Sequence, residues 1–272
     1  MDVALLKGTA SLYLIATGTF ILYVLLLKEF LSRAAPLILL AGFFLHTAAL
    51  AAQISQKGFP AVTELHEALS VYGWIIVGVY LLVQLKYRLT ILGCFVAPLA
   101  FLMTLSGIAF GAGAGELPPG LKTYWLPVHV TLAFLGNAVF ALAFAVSVMY
   151  LVQESRLKSK RTKALSRPLP SLERLDRLNY IFLVWGFPLM TLGIVTGILW
   201  AHVQWGDWSW DARLISSAIV WLLYGVLLQG RITAGWRGKR AAFLTIVGFV
   251  VVLGYFLWGD ALFPSRHAGR FE

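Results

Sequence analysis

Three tryptophans fall within six residues, at Trp205, Trp208 and Trp210, with Gly206 between them, His202 just before and Asp211 just after. Indole faces supply large contact area and stacking at little conformational cost, so such a cluster suits a flat, apolar, aromatic ligand. Gly206 lets the backbone turn or approach a ligand closely. Asp211 is placed either to cap the helix that follows or to touch the ligand itself. The competing reading is an aromatic belt, because Trp favours the headgroup region of any membrane protein. A belt accounts for Trp74, Trp125, Trp236 and Trp258, each near the end of an apolar run, but less well for three indoles in one short segment. A porphyrin fits that surface, and haem iron takes histidine nitrogen as an axial ligand. His129, just after Pro127, and His267, near the end of the chain, are the candidates. Each alone reads as a surface histidine; around a Trp-rich segment they read as an axial pair. His202 is placed to contact a haem propionate or to face water. His46 lies inside an apolar run, where an ionisable group is a functional suspect; it either contacts haem in transit or hydrogen-bonds to a neighbouring helix. His66, in Glu64-Leu-His66-Glu67, reads as a solvated loop residue.

Long apolar runs must position these residues. Apolar residues make up 60% of the 272-residue chain and charged residues 12%, a balance that a bilayer solvates and water does not. Eight stretches, near 9–27, 35–54, 68–85, 89–110, 127–153, 179–201, 213–230 and 241–259, are each long enough to cross a hydrocarbon core as helices. Inside lipid each span must satisfy its own backbone hydrogen bonds, and the period-2 alternation of a membrane barrel is absent. The expected fold is therefore an all-α polytopic membrane protein of about eight transmembrane helices. The first run, followed by Lys28 and Glu29 without a small-residue cleavage site, reads as a retained helix and not a signal peptide. No extramembrane stretch is long enough for a second folded domain, so residues 1–272 are read as one domain without convincing internal repeats.

Sixteen of the 22 Lys and Arg residues fall on one side of this topology, eight of them between Arg156 and Arg177. By the positive-inside rule that side is cytoplasmic and both termini are extracytoplasmic. The basic cytoplasmic loop 154–178 is read as a retention signal against anionic lipid, and nucleic acid is not expected as a partner. The net charge of +10 is thus mainly a topology signal. The outer face is built from 55–67, 111–127, 202–212 and the tail after Gly259, which hold His66, His202 and His267, with His129 two residues beyond the second segment at the outer end of its span. Cys94 is the single cysteine, so the chain has no internal disulfide, no CxxC redox pair and no CxxCH site for covalent haem.

The stretch Trp205-Gly-Asp-Trp-Ser-Trp-Asp211 resembles the WWD signature of the cytochrome c assembly family, which includes CcsA/ResC, CcmC and CcmF, with HemX as a related branch. Tyr-Trp-Leu-Pro-Val-His129-Val is similar to the first of the two outward histidines that bracket the family's WWD loop, and His267 corresponds to the second by order and position. Gly58–Glu67 and Trp236-Arg-Gly-Lys-Arg-Ala241 are similar to an outer loop and a cytoplasmic turn of the family. The resemblance implies haem b, held as ligand or substrate at the outer face of the inner (cytoplasmic) membrane. His129 and His267 would be its axial ligands, with Trp205, Gly206, Trp208, Trp210 and Asp211 beneath it. It implies a CcsB/ResB-like membrane subunit and apocytochrome c as partners, the apocytochrome receiving haem on two CxxCH thiols. No self-contained catalytic constellation is evident, so synthase (haem lyase) activity would belong to a complex.

Three departures stand out. The signature is one residue shorter than the usual WGxxWxWD, and Ala212-Arg-Leu follows where Pro-Lys-Glu is frequent. Gln229 stands where synthase members often carry a histidine of an inner haem site; glutamine is a poor iron ligand. The short chain, Gln229 in that place and the altered residues after Asp211 keep a second reading open, a HemX-like membrane regulator of glutamyl-tRNA reductase abundance. A transporter without haem is disfavoured, because neither discontinuous helices nor paired intramembrane charges are evident.

Overall fold

A computed structural model describes residues 3–57, 65–109, 125–159, 169–205 and 212–262. Among them every regular element is a helix: α1 (Val3–Leu26), α2 (Glu29–Lys57), α3 (Leu65–Tyr87), α4 (Gly93–Ala109), α5 (Trp125–Lys158), α6 (Leu172–Trp205), α7 (Ala212–Thr233) and α8 (Lys239–Leu262), with one 3-10 turn at Thr90–Leu92 leading into α4. Helices α1 to α7 are long and apolar enough to cross a membrane, and α8 runs for 24 residues. The chain is an all-α multi-pass membrane protein.

The helices overrun the apolar stretches that announce them. At about 1.5 Å per residue, the 34 residues of α5 extend about 51 Å, against a hydrocarbon core of about 30 Å. The basic loop expected over 154–178 is correspondingly shorter. Residues 154–158 continue α5, where Lys158 pairs with Glu154 at 2.8 Å one turn earlier, and residues 172–178 already belong to α6. Ser171 caps that start by accepting the Arg174 N–H at 3.3 Å. Likewise 202–205, expected as loop, are the last turn of α6, and α2 carries the expected outer segment to Lys57. The hydrophobic pattern marks where lipid ends; helical hydrogen bonding continues until a cap or a breaker stops it.

By its internal contacts the chain divides into two compact units, residues 1–128 and 129–272. In the first, buried polar groups cross between helices. His46 on α2 is fully buried, with Nδ1 3.2 Å from the Tyr13 hydroxyl on α1 and Nε2 3.0 Å from Ser70 Oγ on α3. Gln53 donates from Nε2 to Glu67 Oε1 at 2.9 Å, both side chains buried. Trp74 donates to Thr47 Oγ1 at 2.8 Å and stacks on Phe43. Such bonds compensate the cost of taking polar groups out of water.

In the second unit α5 and α6 run antiparallel along a seam of small residues. On α5 the contact positions are His129, Ala133, Gly136 and Phe140; facing them on α6 are Gly197, Gly193, Met190 and Gly186. Both sets step by four, three and four residues, the alternation that keeps one stripe of each helix against its partner. The approach is close because the glycines lack side chains: a Cβ on Gly136 would lie 2.9 Å from the Met190 nitrogen, and one on Gly193 3.1 Å from Ala133 Cα. Helix α5 also meets α7, where Phe140 stacks on Tyr224 at 3.9 Å between ring centroids, and α8, through Phe144 and Phe249.

Candidate functional site

His129 lies in the second turn of α5. Pro127 precedes it within the first turn, where a missing N–H breaks no helical hydrogen bond. The imidazole lies across α6: a Cβ on Gly197 would meet the ring at 2.6 Å from Cε1 and 2.9 Å from Nδ1. One turn earlier on α6, the carbonyl oxygen of Gly193 lies 2.8 Å from His129 Nδ1. A carbonyl can only accept, so Nδ1 carries the proton and donates it. In the neutral ring the lone pair then resides on Nε2, the arrangement that orients a metal-binding histidine and raises its basicity. The Gly193 oxygen also accepts from Thr196 Oγ1 at 3.0 Å, a hydroxyl that lies 2.7 Å from the Leu192 oxygen as well.

The remaining candidates are placed as follows. His202 is exposed on α6, nine residues beyond Gly193, and at about 100° per residue it points to the opposite side of the helix from the one that holds His129. Trp200, seven residues beyond Gly193, shares that face and is buried. Trp205 ends α6; its side chain lies outside the described residues, as do Gly206, Trp208, Trp210, Asp211 and His267. His46 belongs to the first unit, with both ring nitrogens in hydrogen bonds. His66 is in the first turn of α3, not in a loop. Gln229 is exposed on α7.

Two sets of residues escaped the reading of the sequence. The first is Gly193 and Gly197, the floor and acceptor for His129; their signal is the Gly193-Ile-Val-Thr-Gly197 spacing, a small-xxx-small motif that lets helices approach. The second is a buried polar cluster at the other end of the same bundle. Arg231 on α7 donates from Nη2 to Asp176 Oδ2 at 2.9 Å and to the Asp176 carbonyl at 3.1 Å, and from Nη1 to Asn179 Oδ1 at 2.9 Å. Asn179 in turn donates to Ser147 Oγ at 2.8 Å and Thr245 Oγ1 at 3.0 Å. The backbone N–H of Gly238 donates to Asp176 Oδ1 at 2.8 Å. All four helices of the unit are thereby tied together. A paired buried charge is thus present where the sequence showed none, but both carboxylate oxygens of Asp176 are taken up inside the bundle, as suits a structural tie.

The description "Cytochrome C assembly protein" belongs to a family model that matches residues 62–259, a stretch containing His129 and the Trp-rich segment but not His267. A cytochrome c biogenesis protein CcsA of Guillardia theta is 31% identical over 233 residues, covering 78% of this chain and 77% of the relative. A CcsA protein of Pyropia yezoensis is 30% identical over 278 residues, covering 88% and 87%. Among solved structures, the cytochrome c haem lyase CcmF superposes with a TM-score of 0.63 at 18% identity over 95% of this chain, which spans 49% of that structure and shares its fold. By the extent of the matched family model and of these relatives, the chain belongs to the cytochrome c assembly protein family.

Proposed function

We propose that this protein binds haem and delivers it in c-type cytochrome biogenesis, presenting it at the extracytoplasmic face of the inner (cytoplasmic) membrane. The observation that carries this reading is the setting of His129, whose Nδ1 proton goes to the Gly193 carbonyl at 2.8 Å and whose Nε2 therefore holds the lone pair an iron needs. Haem, when bound, supplies the porphyrin that is joined to the two thiols of an apocytochrome CxxCH site. This chain's residues would hold and orient it: His129 and His267 through ring nitrogens, with the Trp205–Asp211 segment as the platform and Trp200 filling the α6 face between that segment and His129. His202, on the far side of α6, is assigned no contact with the same ligand. A CcsB/ResB-like subunit and the apocytochrome complete the reaction. The relatives, named as cytochrome c biogenesis proteins, favour this role over that of a HemX-like regulator.

The test is spectroscopic. The protein, purified from haem-replete cells, is expected to show the Soret and α bands of bis-histidine haem and a pyridine haemochrome of haem b. His129→Ala and His267→Ala should each weaken those bands. Haem-free wild type, or spectra unchanged in both variants, would overturn the site.

A further inference from the structure

We infer that Gly193 and Gly197 are positioning residues that set the electron-donating strength of His129, so that α6 tunes the haem site as well as supporting it. The inference rests on the haem reading above and goes beyond it. His129 approaches α6 so closely that a methyl group at position 197 would stand 2.6 Å from Cε1 and 2.9 Å from Nδ1. Moving the ring off α6 to relieve such a contact takes Nδ1 away from the Gly193 carbonyl, now 2.8 Å distant. Absence of a side chain at 197 and presence of the carbonyl at 193 are therefore one device: the first permits the approach and the second fixes the tautomer. Donation from Nδ1–H gives the ring imidazolate character, which strengthens Nε2 as a ligand and stabilises the ferric state. Thr196 moderates this in part, because its single hydroxyl proton is shared between the Leu192 oxygen at 2.7 Å and the same Gly193 oxygen at 3.0 Å, withdrawing some of the carbonyl's accepting capacity.

The two contacts make predictions of opposite sign. In full-length, detergent-solubilised protein, Gly197→Ala is expected to lower affinity for added haem by about 10–100-fold, the usual cost of losing a ligand's outer partner, and to move the midpoint potential positive. Thr196→Val keeps the side-chain shape, removes the competing donor and should move the midpoint negative. Gly186→Ala is the control: its Cβ would meet the Phe140 ring at 2.7 Å, disturbing the same α5–α6 seam without touching His129, and should leave the midpoint unchanged. If Gly197→Ala does not accumulate, the sign of the Thr196→Val shift decides. Wild type that binds haem through His129, combined with wild-type potentials in both Gly197→Ala and Thr196→Val, overturns the positioning role and leaves the haem reading intact. A Gly186→Ala shift equal to that of Gly197→Ala overturns it too, by showing that the seam as a whole is responsible. Haem-free wild type overturns both.

Discussion

At Arg231 a side chain that counts in the sequence as one more cytoplasmic charge is spent inside the protein. Its side chain is 4% exposed and that of its partner Asp176 18%, and the guanidinium reaches Asp176, the Asp176 carbonyl and Asn179 in different directions. Removing one member of a buried pair leaves the other charge uncompensated, at a cost of about 3–5 kcal/mol. Arg231→Ala is therefore expected to lower the thermal unfolding midpoint in detergent strongly. Arg231→Lys should recover only part of it, since one ammonium cannot reproduce a planar fork of donors. Wild-type stability in Arg231→Ala would show that the tie is unimportant. His129 presents the reverse legibility: its residue type and neighbours were readable, but its partner is a backbone carbonyl, which no letter of the sequence encodes. Residue type likewise left two readings for His46, and the contacts to Tyr13 and Ser70 depend on three helices meeting.

Between helices, the deciding residues are those with no side chain. The α7–α8 turn places Gly235 at φ 64° and Gly238 at φ 65°, and the Gly238 N–H donates to Asp176. A side chain at 238 meets two penalties: the left-handed backbone costs about 1–2 kcal/mol, and the new Cβ would lie 2.8 Å from the Tyr150 hydroxyl. Gly238→Ala should thus lower the melting midpoint while far-UV dichroism stays helical. At Gly18 on α1 an added Cβ would have nothing within 4 Å, so Gly18→Ala is expected to be neutral or slightly stabilising by helix propensity. Equal losses in the two variants would mean that glycine content, and not these contacts, governs stability. The Gly193–Gly197 spacing was visible as letters, but its meaning depends on which helix lies against it, and that pairing is settled by the complementary steps of α5.

For the molecule as a whole, the proposed orientation rests on the charge distribution. The proposed arrangement puts the Lys- and Arg-rich ends of α5 and α6 in the cytoplasm, where the positive-inside rule holds them. With Cys94→Ala as background, a cysteine replacing Ser159, just past the end of α5 and exposed, should react with a membrane-impermeant maleimide only after cells are broken. Labelling in intact cells would reverse the topology and move the proposed haem face to the cytoplasmic side. The division into two compact units has no counterpart in the pattern of apolar runs, which are similar in both halves.

Class and helix number were determined by the sequence alone, because a bilayer accepts only long apolar segments with internally satisfied backbones, and eight such segments can be counted. Family membership was legible for a related reason: the Trp205–Asp211 segment and the His129 segment combine residue types that an ordinary membrane span does not need. The ends of α5 and α6 needed the observed caps and pairs, while the burial of Arg231 and the acceptor for His129 were decided only by the tertiary structure. Helix ends follow caps and pairs beyond the lipid; burial of a charge requires partners from several helices at once; and a carbonyl becomes a histidine's partner only where two helices pack closely enough to bring them within 2.8 Å.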